Sequence, residues 1–192
     1  KDSGGTPVLL ESPAIHSLAR TLKKTAYGRV VKEEGIETAD PLVTRTLHYD
    51  GAKKFKHLDI SEGYFDADII VNLPKFKTHG ITYITGAVKL LFGAIPGVEK
   101  SKMHMRAPTP EEFSEFILDL YGAMTYGFSP RKPILHLMDA VLVQQGEGPG
   151  TAGKPRWLNA VLAGDNGIAV DYAATLLAGL DVNKALTVVN GF

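Results

Sequence analysis

Apolar positions recur at intervals of three and four through "EEFSEFILDLYGAMTYG", residues 111–127. Phe113, Phe116, Ile117, Leu120, Tyr121 and Met124 fall on one stripe, which predicts an amphipathic helix with that stripe in the core. Thr109, Pro110 and Glu112 supply its N-cap, first-turn proline and the back-bonding acid of a capping box. A different pattern marks "ADIIVNL", residues 67–73, where a short β-branched run without polar alternation predicts a buried, parallel strand whose pairing ends at Pro74. "KPILHLMDAVLV" and "RWLNAVLAGD" read as two further strands separated by the glycine-rich loop "QQGEGPGTAGKP", and "NGIAVDYAATLLAGL" reads as a small-residue helix.

Nearer the N-terminus, Ser12 and Pro13 form a cap and first-turn pair for a helix. "AYGRVVKEEGIETAD" predicts a short helix ended by Gly35, and "PLVTRTLHYD" and "FKHLDI" predict strands flanking the polar turn "DGAKK". "PGVEKSKMHMRAPTP", residues 96–110, is rich in turn formers and basic residues without periodicity, and reads as a loop long enough to act as a lid. Strands interleaved with helices predict an α/β class: a layered domain with a mainly parallel or mixed sheet flanked by helices, spanning residues 1–192 as one unit. In such sheets ligands lie beyond the carboxyl ends of the strands.

The chain has 192 residues, 44% of them hydrophobic and 22% charged, with 21 basic side chains against 21 acidic ones. That balance leaves no net field to draw in nucleic acid or a membrane, so recognition by charge must be local. There is no cysteine. A disulfide framework, a thiolate zinc site and a cysteine-ligated iron–sulfur cluster within this chain are thereby excluded, and a reducing, cytoplasmic setting is expected. No apolar run approaches the roughly 20 residues of a membrane-spanning helix.

The local charge is concentrated in "NLPKFKTHGITYITGAVKLLFG", residues 72–93. If "PKFKTH" stays extended, Lys75, Lys77 and His79 share one side while Phe76 anchors the other to the core. Laid on a helical wheel, "ITYITGAVKLLFGAI" puts Ile81, Ile84, Val88, Leu91, Phe92 and Ile95 on one side and Thr82, Thr85, Gly86 and Lys89 on another. A helix N-terminus with free amide donors, two threonine hydroxyls and a group of cations is the chemistry a phosphate or carboxylate needs. The plain alternative is a pair of solvated loop lysines.

A second constellation joins Asp139, at the end of a strand, to Glu147 and Gly148 in the glycine-rich loop and to Lys154 and Arg156 after it. Glycines let backbone amides approach a ligand closely, although a wide turn satisfies the same pattern, and the spacing matches neither the phosphate-loop lysine motif nor the dinucleotide fingerprint. Asp165 reads as the cap of the last long helix, and Asp171 either as complement to that helix's dipole or as partner to a lysine or metal. Asp139, Glu147 and Asp171 with His79 would suit magnesium or manganese, but no spacing enforces a metal site. His16, His48, His57, His104 and His136 are scattered and read as structural or solvated. No Gly-x-Ser-x-Gly elbow is present, which disfavours hydrolase chemistry of that type.

Three stretches, "ADIIVNLPKFKTHGITYITGAVKLLFGAIPG", "MDAVLVQQGEGPGTAGKPR" and "AGDNGIAVDYAATLLAGL", together resemble domain-of-unknown-function family 362 of bacteria and archaea, in that family's order. More loosely, "KDSGG" is similar to a Gly-Asp-Ser-Pro-Gly turn that follows an earlier lobe in the family. The resemblance implies an N-terminal portion before this chain and an extension after Phe192. It singles out Asn72, Pro74, Lys75, Lys77, Thr78, His79, Thr85, Gly86, Lys89 and Gly93, then Asp139, Glu147, Gly148, Pro149, Gly153, Lys154 and Asp171. Where the family commonly has asparagine after Lys89, this chain has Leu90. Family members are often joined to ferredoxin-like iron–sulfur segments and described as oxidoreductase components of anaerobes, an association that would here need a cluster outside the chain.

The leading expectation is an enzyme-like domain that binds a small anionic ligand or phosphate-bearing cofactor. Lys75, Lys77, Lys89 and Lys154 with Thr82, Thr85 and Gly148 would hold it, His79 would act as acid or base, and Asp139 or Glu147 would orient His79 or take a proton. The alternative is a non-catalytic module whose basic segment "EKSKMHMR" docks on an acidic ferredoxin-like partner. A third is a site completed by the absent lobe.

Overall fold

The computed structural model describes residues 2, 4–13, 16–146, 148 and 153–191. The first half runs through β1 (Val8–Leu9), α1 (Leu18–Lys23), α2 (Ala26–Glu33), β2 (Glu37–Thr38), β3 (Thr44–His48), β4 (His57–Ser61) and α3 (Gly63–Asp66). Next come β5 (Ile70–Asn72), β6 (Lys75–His79), β7 (Tyr83–Thr85), α4 (Ala87–Leu90), a 3₁₀ turn (Leu91–Ala94), α5 (Gly97–Arg106) and α6 (Pro110–Tyr126). The chain then forms β8 (Ile134–Gln145), β9 (Lys154–Gly164), α7 (Gly167–Leu177), a second 3₁₀ turn (Val182–Lys184) and α8 (Leu186–Val189).

The principal sheet is mixed. β8 is its long central strand, paired in parallel with β5 and then β6 along one edge and antiparallel with β9 along the other. β7 folds back antiparallel on β6. This is the α/β layered class with the mixed form of the sheet. β8 and β9 pair antiparallel as a hairpin, starting from Gln145 opposite Lys154. β5 ends at Asn72, just before Pro74, as its pattern predicts; the Pro74 carbonyl accepts the Asp139 amide at 2.9 Å, and pairing with β8 is taken up again by β6 at Lys75.

α6 carries the predicted capping box, with the Glu112 amide donating to Thr109 Oγ1 at 3.2 Å. All six residues of its apolar stripe are buried, and Phe113 and Phe116 meet Phe92 edge-on. Burial of each such side chain is worth about 1.5–3 kcal/mol. α2 ends before Gly35, which takes φ +55°, and β3 and β4 pair antiparallel around their turn, as their patterns predict.

Elsewhere local pattern misled. Residues 81–95 are not one helix: β7 comes first, with Tyr83 at φ +63°, then α4 and the 3₁₀ turn; of the wheel's apolar side Ile84, Val88, Leu91, Phe92 and Ile95 are buried, while Ile81 is exposed. Residues 96–110 are largely the helix α5 and not a loop. Ser17, not Ser12, caps α1, and Asn166, not Asp165, caps α7 through Oδ1 bonds from the Ile168 and Ala169 amides. β5 is buried on one face alone: Ile70 and Asn72 point inward, while Ile69, Val71 and Leu73 are exposed.

Two polar clamps hold these layers. Asn72 Nδ2 donates to the Ala87 carbonyl and contacts His136 Nδ1, both at 2.8 Å, joining β5, β8 and α4 in the interior. The buried Asp119 carboxylate of α6 accepts the amides of Lys53, Lys54 and Phe55 at 2.7–2.9 Å, fixing the turn between β3 and β4. Asp119→Ala leaves three amides without their acceptor and is expected to cost about 2–4 kcal/mol of unfolding free energy in urea titration, with Asp119→Asn costing less.

Candidate functional site

β6 leaves the sheet at His79, and the loop after it is bound to the glycine-rich segment that follows the carboxyl end of β8. Thr78 Oγ1 donates to the Gly146 carbonyl at 2.7 Å, and the Gly80 amide donates to the Gly148 carbonyl at 3.0 Å. The Gly148 amide is itself engaged by the Gly146 carbonyl. The Lys/His loop and the glycine-rich loop therefore meet at the carboxyl end of two parallel strands, where an open α/β sheet leaves room for a ligand.

The three basic groups of β6 part company there. Lys75 Nζ lies 2.6 Å from Asp139 Oδ2 on the outer face of the sheet, and this bond, aided by the Val141 amide, holds the Asp139 carboxyl below its usual range. A register shift separates Lys75 from Lys77. Lys77 and His79 turn toward Lys89 of α4, whose Nζ stands 2.8 Å from His79 Nε2. Burial and the positive charges of Lys89, Lys77 and His104 push His79 down to about 4. Burial, Lys77 and Lys100 push Lys89 down to about 8.

The ring of His79 is oriented by backbone. Its Nδ1 accepts the Ile81 amide at 3.0 Å and the Thr82 amide at 3.3 Å. A ring nitrogen that accepts carries no proton, so the neutral imidazole bears its proton on Nε2, facing Lys89. An ammonium has three donors and no acceptor. The 2.8 Å contact is thus complementary when Lys89 is the free amine and its lone pair accepts.

α5 completes the cluster. Lys100 and His104, four residues apart and on one helix face, approach from that side. Lys100 donates to the Ser12 carbonyl and lies 3.9 Å from Glu11, while His104 stacks on Phe113 with ring centroids 4.5 Å apart. The sequence pattern missed both because α5 spends its periodic positions on basic residues; the four-residue spacing was the available signal.

α4 owes its position to Asp171. This fully buried carboxylate on α7 accepts the Ala87 amide at 2.5 Å and the Val88 amide at 3.0 Å. The free donors expected at this helix start are therefore taken by a side chain of the protein. A Cβ on Gly86 would fall 2.1 Å from Asp171 Oδ1, which is why glycine stands there. Asp171 is neither a complement to its own helix nor a partner to a lysine.

Among the other predicted residues, Thr82 Oγ1 is buried and donates to the Ile84 carbonyl at 2.8 Å. Thr85, the register partner of Lys77, is buried with no hydrogen-bond partner for its Oγ1 among the described residues. Lys154 begins β9 opposite Gln145 and is exposed. Glu147 lies outside the described residues. Among those described, no group of three or more His, Cys, Asp or Glu is placed to hold a metal, and no helix is long and apolar enough to cross a membrane.

The architecture is thus a mixed α/β sheet with a basic cluster at the carboxyl end of a parallel strand. Residues 1–175 match the model of the family described as Domain of unknown function (DUF362), and the chain belongs to that family. It is similar to the thylakoid-associated protein sll1697 of Synechocystis sp., with 29% identity over 182 residues that take in 94% of this chain and 54% of that protein. The chain spans about half the length of this curated relative. No solved structure matches.

Burial raises Asp171 from 3.8 to about 7, against the pull of its two backbone bonds. A carboxyl whose pKa rises on folding adds stability that is full below its unfolded pKa and lost as pH climbs through the folded one. Native protein is therefore expected to lose stability relative to Asp171→Asn as pH rises from about 4 to about 7, by up to a few kcal/mol. Urea titrations of both proteins at several pH values read this difference directly.

Proposed function

We propose that the chain binds a small anionic ligand, carrying phosphate or carboxylate, at Lys77 and Lys89 beside His79 and His104, in an enzyme-like site closed on one side by the glycine-rich segment. The observation that carries this reading is the gathering of basic groups: Lys89 Nζ stands 2.8 Å from His79 Nε2, with Lys77 and Lys100 close enough to act on Lys89. Burial, then Lys89, Lys77 and His104, lower His79, and burial, then Lys77 and Lys100, lower Lys89; among the described residues no carboxylate acts on either. In a chain of zero net charge, gathering cations costs free energy that an anion recovers. Lys75 and Asp139 are a neutralised pair at its margin, and His79, with Nδ1 bonded to backbone, has Nε2 alone to offer.

The docking alternative has no comparable support. The segment meant to meet an acidic partner is α5, whose Lys100 is buried, whose Lys102 pairs with Glu99 at 2.6 Å, and whose Arg106 lies over the Phe55 ring. The iron–sulfur association implied by the resemblance is not carried by this chain, which lacks the cysteine a thiolate-held cluster requires. A reducing, cytoplasmic setting remains the reading that the absence of cysteine favours.

Inorganic phosphate is expected to raise Tm in a saturable way, and Lys77→Ala to weaken its binding about tenfold or more in titration calorimetry. Lys89 is charged below about 8, so binding should be tighter on the acid side of that value and weaken above it. Binding that is indifferent to both substitution and pH would overturn the reading.

A further inference from the structure

The anion reading leaves one feature of the cluster without a purpose. A lysine meant only to attract charge does best with a carbonyl or carboxylate against its ammonium. Lys89 instead meets the N–H of an imidazole whose other nitrogen is tied to two amides. Turning the ring would sacrifice both backbone bonds, so the donor facing Lys89 is built in. The groups surrounding Lys89 push the same way: Lys77 from β6 and Lys100 from α5 are cations. α4, which carries Lys89, is held by Asp171, whose carboxylate is spent on the Ala87 and Val88 amides and is not among the groups acting on Lys89. Lys89 as a residue is only partly buried.

We propose that Lys89 is an amine nucleophile that forms an imine with the carbonyl carbon of a small anionic oxo compound, an oxo acid or a phosphorylated aldehyde, whose charged end is held at Lys77. The proposal rests on the anion-site reading for its substrate class and on the His79–Lys89 geometry for its chemistry. The Nζ lone pair attacks the carbonyl carbon, and the carbonyl π pair moves to oxygen. A nitrogen proton passes to that oxygen, the hydroxyl departs as water with a second proton, and a carbon–nitrogen double bond remains. Amine and carbonyl give imine and water, with no oxidant or reductant. His79 is a positioning residue: its Nε2–H holds the lone pair in the free protein and, with the ring still held by its two backbone bonds, donates to the adjacent carbinolamine oxygen once that pair is spent. Desolvation beside other cations is a general route by which a lysine becomes nucleophilic near neutrality.

The test treats the folded chain with glyoxylate, and separately with formaldehyde, in the presence of cyanoborohydride, and reads each lysine by peptide mass across pH. Lys89 should be labelled by glyoxylate about tenfold or more faster than the exposed lysines near neutral pH. Its rate should reach half of its maximum at about 8. His79→Asn should move that midpoint upward while leaving the fold intact by circular dichroism, which a merely structural histidine would not do. Lys77→Ala should slow glyoxylate labelling and spare formaldehyde labelling. Phosphate binding with ordinary Lys89 reactivity toward both reagents overturns the imine alone. Fast formaldehyde labelling without preference for glyoxylate overturns the anionic substrate, and the anion-site reading with it. A midpoint unmoved in His79→Asn overturns the role given to the imidazole.

Discussion

The position of the whole site depends on one buried carboxylate. Asp171 reaches from α7 to the start of α4, where its two oxygens take the Ala87 and Val88 amides. α4 is only four residues long and cannot hold its own geometry by helix cooperativity. It is held from outside, by Asp171 at one end and by the Asn72 bond to the Ala87 carbonyl beside it. Lys89, the residue after the second capped amide, inherits that placement. An interior charge of this kind is expensive to bury, and the shift of Asp171 to about 7 measures the cost.

From that anchor the electrostatics follow. β6 carries Lys77 and His79 to the carboxyl end of the sheet, α4 brings Lys89 under them, and α5 adds Lys100 and His104. Each element is secured by contacts outside the basic cluster: Phe76 in the core, the Asp171 cap, and the aromatic cluster of Phe92, Phe113 and Phe116. Hydrophobic and backbone interactions are strong enough to bury these groups and impose the proximity of like charges, and burial first, with the neighbouring charges second, lowers His79 and Lys89. Perturbation of this sort at the carboxyl end of parallel strands is a physical reason to look for chemistry there.

Much of the frame was legible in the sequence. The capping box and stripe of α6, the glycine end of α2, and the strands β3, β4, β8 and β9 all follow from local rules. The gathering of Lys77, His79 and Lys89 was legible too, though as an open helix N-terminus, which Asp171 in fact closes. No local pattern says that a carboxylate will cap a helix 84 residues earlier in the chain. Residues 81–95 read as a helix because β7 and α4 together happen to preserve the right buried positions, while the left-handed turn at Tyr83 leaves no trace in hydrophobicity. β5 read as buried on both faces because its outward residues, Val71 and its neighbours Ile69 and Leu73, are apolar although exposed. In α5 the buried positions among the described residues are Lys100 and Met103, too few and too mixed for hydrophobic periodicity to mark the helix.

The central claim is that His79 is fixed as the neutral Nε2–H tautomer by two backbone amides and so faces an amine at Lys89. Nitrogen-15 NMR of histidine- and lysine-labelled protein through a pH titration tests it directly. The account predicts an His79 Nδ1 that stays unprotonated until the pH falls to about 4, together with a Lys89 side chain that loses its proton at about 8. A protonated Nδ1 at neutral pH, or an His79 that titrates at the ordinary 6.5 beside a Lys89 that titrates at 10.5, would contradict it.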